Sequence, residues 1–317
     1  MIGLNDIERA RDVVSKYLVR TPMIAAIALS ESMNRKLFFK NEGLQKTGSF
    51  KPRGSLNKIH HLSPEEMKRG VITVSSGNHA QGLAFAAKVF GVKATVVMRK
   101  ETSNLKVAAT RRHGAEVVLT EGDPFQVAAE LRRERSLCFV HPFDDRHIIA
   151  GHGSLGLEIV EQCPDLDFLF VPVGGGGLIS GVATAVKLKK PSVKVIGVEP
   201  VGASAMWQSL QKGRVVTLER AKSVAAGLSP PFVGELNFQI VRKYVDELVV
   251  VTDKQIVESL WLTLEQSKLL SEPSGAASFA GFQSCLSKIP EGAVVVCLIS
   301  GANIDRYELR DLCDFRP

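Results

Sequence analysis

The stretch FLFVPVGGGGLISGVATAV, residues 168–186, contains no charged residue and decides the fold. Its uncharged length resembles a membrane span, but Pro172 and the glycines at 174–177 would interrupt a helix in lipid, where the backbone must bond internally. We therefore interpret the stretch as a buried strand, a glycine loop and a helix, and we expect a soluble protein that crosses no membrane.

Short β-rich runs alternate with helical patterns on both sides of this unit, which predicts an α/β protein with parallel sheets covered by helices. The predicted strands are Lys36–Lys40, Val71–Val74, Ala94–Met98, Glu116–Leu119, Cys138–Val140, Phe168–Val173, Val193–Val198, Glu247–Val251 and Ala293–Ile299. The predicted helices include His79–Phe90, Leu105–His113, Pro124–Glu134, Ile148–Gln162, Leu178–Lys189, Asp253–Leu270 and Ser278–Ser287.

The strands fall into two groups, although no repeat or linker divides the chain. We expect a small domain of residues 48–143 inserted in a large domain made of residues 1–47 and 144–317. The irregular stretch Ala221–Phe238, which contains two prolines, is predicted to be a long loop, and loops of that size are often functional.

Composition excludes several classes of protein. Hydrophobic residues make up 45% of the 317 residues and charged residues 23%, unlike a disordered chain or a coiled coil. The net charge is +7, but no nucleic-acid-binding motif accompanies it, so a nucleic-acid-binding protein is not indicated. Five cysteines without a CxxC pair favour a reducing compartment over a disulfide framework, and residues 1–20 lack an apolar signal core, so we expect a cytoplasmic protein.

Open α/β sheets bind ligands beyond the carboxyl ends of their strands, and four loops lie there or at a helix start. The first is KTGSFKPRG, residues 46–54. Pro52 fits the first position of a helix, which places Lys51 at its positive end. A second positive charge is disfavoured there, so the Lys51 amine becomes easier to deprotonate, as Schiff-base chemistry requires. The alternative is an ordinary solvated lysine beside a turn.

The second loop is SSGNH, residues 75–79, which follows a predicted strand and opens an Ala-rich helix. Free backbone N–H groups at that position make an anion site, with a hydroxyl from Ser76 and an amide from Asn78. Ser and Asn also serve as plain helix caps, so this loop alone does not distinguish the two roles.

The third loop is the run Gly174–Gly177 before Leu178, where four residues without side chains let N–H groups approach a phosphate. A dinucleotide site is the competing explanation, because Glu199 ends the next strand. The glycine spacing nearly fits that fingerprint, but Ser180 stands at its last small position.

The fourth loop is SGAN, residues 300–303, after the last apolar strand. If the last strand is a neighbour of the strands that carry the other loops, Ser300 lies in the same crevice as those loops. Taken alone, Ser300 is better explained as an ordinary serine in a turn. The histidines show no paired metal spacing, and we predict no metal ligand.

In this order, the lysine before a helix, the SSGNH loop, the tetraglycine loop and the final serine resemble the fold-type II pyridoxal-phosphate enzymes, in their threonine/serine dehydratase and serine racemase branch. The resemblance runs from RTP at 20–22 through KNE at 40–42 and GVEP at 197–200 to EPSGA at 272–276. It implies a two-lobed fold like tryptophan synthase β, with twisted, mainly parallel sheets, and pyridoxal 5′-phosphate as cofactor.

The resemblance also implies roles for single residues. Lys51 would hold the cofactor as a Schiff base and then remove the substrate Cα proton, and Ser76 would be the acid/base on the opposite face. Ser300 would face the pyridine nitrogen, where a neutral hydroxyl favours β-elimination over transamination. The implied cofactor-binding residues are Phe50, Lys51, Asn78, Gly174, Gly175, Gly176, Gly177, Leu178 and Ser300. The implied substrate-binding residues are Ser75, Ser76, Gly77, Asn78 and His79.

Three positions depart from the pattern of this branch. Racemase-like members place an acidic residue six positions after Glu199 to bind a divalent cation, and here that position is Ala205. Ala226 replaces the aspartate of an Ala-Asp-Gly loop, and His152 replaces the glutamine of a Gly-Gln-Gly-Thr motif. The resemblance implies that the last two changes affect the substrate contacts or the domain closure.

The sequence thus predicts an ammonia-lyase that eliminates water from L-threonine or L-serine and yields 2-oxobutyrate or pyruvate plus ammonia. Serine racemase and threo-3-hydroxyaspartate dehydratase are alternatives, as are an NAD-dependent oxidoreductase and a non-catalytic amino-acid-binding module. We expect a homodimer or homotetramer with a small-molecule amino-acid substrate and no nucleic acid. Because two lobes fill the chain, we expect no C-terminal regulatory domain of the kind found in longer threonine dehydratases.

Overall fold

The computed structural model describes residues 1–313 and Phe315. Its strands are β1 (Met23–Ala25), β2 (Lys36–Asn41), β3 (Val71–Val74), β4 (Ala94–Arg99), β5 (Glu116–Thr120), β6 (Cys138–Phe139), β7 (Phe168–Pro172), β8 (Lys194–Pro200), β9 (Glu247–Val251) and β10 (Val294–Ile299). Its α-helices are α1 (Leu4–Val14), α2 (Ile27–Met33), α3 (Lys51–His60), α4 (Pro64–Arg69), α5 (Asn78–Val89), α6 (Asn104–Arg112), α7 (Pro124–Arg135), α8 (Arg146–Gln162), α9 (Gly177–Lys189), α10 (Ala205–Lys212), α11 (Glu235–Tyr244), α12 (Asp253–Ser267), α13 (Pro273–Cys285) and α14 (Arg306–Cys313). Short 3-10 turns lie at Glu42–Leu44, Val201–Ala203, Ala226–Leu228 and Leu286–Lys288.

The larger sheet has the strand order β1-β2-β10-β7-β8-β9. All its neighbours are parallel except β1, which pairs antiparallel with β2. Every residue of the central strand β10 is buried, as expected for a parallel strand covered on both faces. The carboxyl ends of β2, β10 and β7 therefore open at one edge of the sheet.

The smaller sheet is fully parallel, in the order β5-β4-β3-β6. Its strands lie within the predicted domain of residues 48–143, whose boundaries stay a prediction. Val74 pairs with Val97, so the loops that follow β3 and β4 are neighbours.

The predicted α/β class with mainly parallel sheets is confirmed, and each predicted strand is present with its ends shifted by at most a few residues. The sequence missed β1, which is too short to show an alternating pattern. Two boundaries were wrong. Helix α13 begins at Pro273 rather than Ser278, because proline is well suited to a first helical position. The predicted loop Ala221–Phe238 ends early, since α11 begins at Glu235.

Separate apolar clusters cover the two faces of the larger sheet. Phe39 and Phe170 pack with α13 on one face, while Leu169 and Val171 pack with α9 on the other. Within the described residues, no helix is both long and apolar enough to span a bilayer.

Candidate active site

Lys51 is the first residue of α3 and Pro52 is the second, so the helix begins one residue before the predicted position. The Lys51 amine donates a hydrogen bond to the Pro142 carbonyl at 3.0 Å and lies 5.0 Å from the Phe50 ring centroid. Burial lowers the pKa of Lys51 from 10.5 to about 8, although the Glu272 carboxylate opposes this shift. The Lys51 amine is thus deprotonated more readily than that of an ordinary lysine, and burial is the main cause of the lowered pKa.

The tetraglycine loop joins β7 to α9 and has no room for side chains. A methyl group on Gly175 would lie 2.4 Å from the Phe143 ring, and one on Gly177 would lie 2.8 Å from the Phe143 carbonyl. Gly176 has φ +93°, a conformation that favours glycine. In the described part of the chain, no acceptor binds the amides of Gly175 to Leu178. Such a cradle of free N–H groups at a helix start fits a phosphate.

Asn237, a residue that the sequence analysis missed, holds this loop in place. Its amide nitrogen donates to the Gly175 carbonyl at 2.9 Å and to the Phe143 carbonyl at 3.1 Å. The Gly234 amide donates to the same Gly175 carbonyl at 3.2 Å. These bonds occupy the carbonyl of Gly175 and fix the position of the loop.

The SSGNH loop follows β3 and opens α5. Ser75 to Asn78 are half-buried, and a methyl group on Gly77 would meet no atom within 4 Å, so the loop borders open space. No acceptor for the amides of Ser76 or Asn78 lies within the described residues. His79, the last residue of the motif, is buried, and burial together with the Lys51 charge holds its pKa well below 6.5.

Asn78 is fixed at both ends of its amide group. Its nitrogen donates to Glu272 Oε1 at 2.6 Å, and its oxygen accepts from Asn303 Nδ2 at 2.7 Å. Burial raises the pKa of Glu272 to about 7, with the Asn78 hydrogen bond acting in the opposite direction. Glu272 belongs to the EPSGA motif at 272–276, and no local pattern predicts its contact with Asn78.

Ser300 follows β10 and lies beside the loop that carries Lys51. Its carbonyl accepts from the Phe50 amide at 3.1 Å, and Ser49 forms an antiparallel bridge with Gly301. The buried Ser300 hydroxyl is 3.5 Å from the Ser274 carbonyl.

The four loops therefore meet at one place. The Lys51 amine donates to the Pro142 carbonyl, and the next residue, Phe143, packs against the glycine loop. On the other side, the amide of Phe50, the residue before Lys51, donates to the Ser300 carbonyl. A reactive amine, a phosphate cradle, a fixed amide and a neutral hydroxyl together match the groups that pyridoxal phosphate presents. The residues present fit this cofactor.

Glu199 does not have the surroundings of a metal ligand. Its carboxylate accepts from the amides of Met206 at 2.9 Å and Trp207 at 2.7 Å, and so caps α10, whose first residue is Ala205. Among the described residues, no group of three or more His, Cys, Asp or Glu side chains is arranged to hold a metal ion. Glu199 is buried and both of its carboxyl oxygens accept from backbone amides, which argues against the ribose contact that the dinucleotide alternative requires.

The other two departures occupy different positions relative to the glycine loop. His152 is buried against Phe50, with 4.8 Å between ring centroids, and burial holds its pKa well below 6.5. Ala226 is exposed in the 3-10 turn next to Gly227, whose carbonyl would lie 3.0 Å from a methyl group on Gly174. His152 thus packs against the start of the helix that carries Lys51, while Ala226 lies at the surface next to the residue that contacts the glycine loop.

The fold and the meeting of these loops define a pyridoxal-phosphate enzyme. The family model described as pyridoxal-phosphate dependent enzyme matches residues 14–301, and the chain belongs to this family.

Its relatives narrow the class further. L-threonine ammonia-lyase of Thermotoga maritima is 45% identical over 310 residues, which cover 96% of this chain and 76% of that protein. The processed form of threonine deaminase isoform 2 from Solanum lycopersicum superposes with a TM-score of 0.93 at 36% identity, covering 98% of this chain and 91% of that one. Maize serine racemase superposes with a TM-score of 0.91 at 34% identity, covering 98% and 97% of the two chains.

Proposed function

We propose that the protein deaminates L-threonine and L-serine by β-elimination of water, giving 2-oxobutyrate or pyruvate plus ammonia. The observation that carries the proposal is the half-buried Lys51 amine, with its pKa near 8, beside the glycine cradle and Ser300. Ser300 would face the pyridine nitrogen of the cofactor. A carboxylate at that position would keep the ring protonated, whereas a neutral hydroxyl does not, and this favours elimination over transamination. The threonine ammonia-lyase and threonine deaminase names of the relatives support the same reaction.

The cofactor would be held by the amides of Gly174 to Leu178, by Asn78 and by Ser300, with Lys51 as its covalent attachment. When bound, pyridoxal phosphate supplies an electron sink that acidifies the Cα proton of an amino acid. Lys51, displaced by the substrate amine, takes that proton on its Nζ as general base. The β-hydroxyl would then take up one proton, which balances the proton gained by Lys51, and leave as water, and the released enamine would hydrolyse to the oxo acid and ammonia.

The SSGNH loop would bind the substrate carboxylate. Its unbonded amides at Ser76 and Asn78 lie at the start of α5, and the open side of Gly77 leaves room for a small anion. A carboxylate there lies in the same cleft as Asn78, which is the cofactor-contacting residue of this loop. The proposal thus assigns substrate and cofactor to adjacent ends of one short loop.

The test begins with the visible absorbance that the apoenzyme gains when pyridoxal phosphate is added, and with its loss on borohydride reduction. Lys51→Ala should abolish both, whereas Lys36→Ala, at the opposite end of β2, should leave both unchanged. The loaded enzyme is then given L-threonine, L-serine, D-serine and the 3-hydroxyaspartates, and oxo acid and ammonia are measured. Release of 2-oxobutyrate or pyruvate is expected; a coloured enzyme that releases neither would overturn the proposal.

We also propose a reducing compartment and a homo-oligomeric state. All five cysteines are free thiols, four of them at least partly buried, which supports an intracellular protein. Light scattering of the purified enzyme measures the oligomer, for which a dimer or tetramer is expected.

A further inference from the structure

The hydroxyl groups of Ser76 and Thr102 are hydrogen-bonded to each other, although 26 positions separate them in the chain. Ser76 follows β3, and Thr102 lies in the turn after β4, where its amide donates to the Arg99 carbonyl at 3.1 Å. These strands are parallel neighbours, so their carboxyl ends bring the two loops together. Thr102 Oγ1 donates to Ser76 Oγ at 3.0 Å.

The direction of this bond determines what Ser76 can do. Because Ser76 Oγ accepts from Thr102, its own proton is available to another group, and no acceptor for it lies within the described residues. Ser76 is half-buried beside the open side of Gly77. Its hydroxyl proton is therefore free to face the cleft in which the substrate would bind.

We propose that Thr102 is a positioning residue that prepares Ser76 for proton transfer on the substrate face opposite Lys51. The inference rests on the proposed function, since it takes Cα of a bound amino acid as the reacting atom. Lys51 breaks the Cα–H bond of an L-amino acid on one face and keeps the proton on Nζ. On the other face, the Ser76 O–H bond breaks and a new Cα–H bond forms, which yields the D-amino acid.

This transfer leaves a negative charge on Ser76 Oγ until water returns a proton, while Lys51 loses its extra proton to water. A hydrogen bond to an ionised oxygen is about twice as strong as a neutral one, so the bond from Thr102 stabilises Ser76 most in that state. Elimination of the β-hydroxyl from L-threonine uses the Lys51 face alone. The inference therefore separates two activities of one site: Thr102 supports racemisation and α-proton exchange of D-serine, and it leaves elimination unaffected.

The experiment compares holoenzymes of the wild type, Thr102→Val, Thr102→Ser and Ser76→Ala. Thr102→Val keeps the shape of threonine and removes its hydroxyl, and Thr102→Ser restores a donor. Thr120→Val is the matched control, because the Thr120 hydroxyl accepts only a local bond from the Gly122 amide. Each variant is assayed for oxo acid release from L-threonine, for D-serine formed from L-serine, and for deuterium exchange at Cα of D-serine in D₂O.

We expect Thr102→Val to lose at least about tenfold in racemisation and D-serine exchange, Ser76→Ala to lose more, and Thr102→Ser to recover most of the loss. Elimination from L-threonine and the dissociation constant for pyridoxal phosphate should stay within about twofold in Thr102→Val. Equal loss of elimination and racemisation would overturn the inference, as would unchanged racemisation. A wild type that neither racemises serine nor exchanges the D-serine α-proton would also overturn it, while the proposed elimination would stand.

Discussion

At the scale of single residues, the charge of Lys51 controls how the enzyme acquires its cofactor. Only the neutral amine attacks an aldehyde, and burial lowers the pKa of Lys51 to about 8. The rate at which the apoenzyme gains visible absorbance with pyridoxal phosphate should therefore rise with pH and level off above about 8. Stopped-flow absorbance between pH 6 and 10 measures this rate. A midpoint near 10.5 would show that the amine is solvated as in an ordinary lysine.

Glu272 contributes to the pKa of Lys51 and therefore to the pH at the midpoint of cofactor capture. Its carboxylate favours the charged form of Lys51, so replacing it by a neutral amide removes an attraction for the proton. Glu272→Gln should move the midpoint of cofactor capture to lower pH, and Glu258→Gln on the surface of α12 should leave it unchanged. The same stopped-flow series checks both variants, and a shift to higher pH in Glu272→Gln contradicts the assignment.

The residue scale also marks the limit of sequence reasoning. Lys51, Asn78 and Ser300 could be predicted because each stands in a short motif of its own loop and because the order of these motifs resembles that of the family. Glu272 touches Asn78 across 194 positions of the chain, and no local pattern encodes such a contact. The two side chains meet only because the residue before α13 and the loop after β10 both lie beside the start of α5.

At the scale of elements, the junction between β7 and α9 requires glycine for two separable reasons. Gly176 has φ +93°, and a methyl group there would lie 2.7 Å from Met206 Cε and 2.8 Å from Asn237 Cβ. Gly213 has φ +67° at the end of α10, but a methyl group there meets no atom within 4 Å. Gly213→Ala should cost about 1 kcal/mol and leave cofactor affinity unchanged. Gly176→Ala should cost more and weaken cofactor binding at least about tenfold, because Asn237 holds the phosphate loop.

These two variants are checked by thermal unfolding and by titration of the apoenzyme with pyridoxal phosphate. Equal cofactor affinity in Gly176→Ala and Gly213→Ala would show that the loop tolerates displacement of Asn237.

Helix α10 is capped by a carboxylate whose protonation should be visible in the stability of the protein. Burial raises the pKa of Glu199 to about 8, while the amides of Met206 and Trp207 act in the opposite direction. A carboxyl group whose pKa is raised by folding binds more protons in the folded state than in the unfolded state. Its stabilising contribution to the free energy of unfolding is therefore complete below about pH 4.5 and is lost as the pH rises through 8. Glu199→Gln should remove this decrease in stability with rising pH, because glutamine does not titrate. Its Tm relative to wild type should therefore increase between pH 5 and pH 8 in calorimetry; a constant difference would contradict the raised pKa.

The starts of helices show where element prediction failed and why. The sequence placed α13 five residues late, because Pro273, Ser274 and Gly275 have the composition of a loop. In the structure, Gly275 is required for close packing: a methyl group there would lie 2.5 Å from the Gly301 carbonyl. Tertiary contact with the loop after β10 thus overrides local propensity, and this same contact brings Glu272 into the site.

At the scale of the whole molecule, a buried ion cluster joins segments from the two predicted domains. Arg53 in α3 binds Glu42, which follows β2, through two bonds of 2.7 and 2.9 Å, and Glu158 in α8 through two bonds of 2.7 and 3.0 Å. Lys40 donates to Glu158 at 2.7 Å and to the Thr21 carbonyl. Two cations and two carboxylates thus balance, and Arg53, two positions after Lys51, anchors the helix that presents the reactive amine.

Breaking this cluster from one side should destabilise the whole protein. Arg53, Lys40 and Glu42 are fully buried, so Arg53→Met would leave two carboxylates without their shared partner. A loss of about 3–5 kcal/mol is expected in urea unfolding. Lys100→Met, which removes an exposed pair with Glu121, should cost under about 1 kcal/mol.

The double variant Arg53→Met/Glu42→Gln separates pairing from packing. Because neutralising Glu42 removes one of the charges that Arg53→Met exposes to a dry interior, the double variant should be less destabilised than the sum of the two single variants. Urea midpoints of the four proteins give the coupling free energy directly. Strict additivity would mean that Arg53 stabilises the fold through its packed stem alone, and the start of α3 would then owe its position to the contacts of Gly82 and Gly151 against the backbone of Lys51 and Arg53.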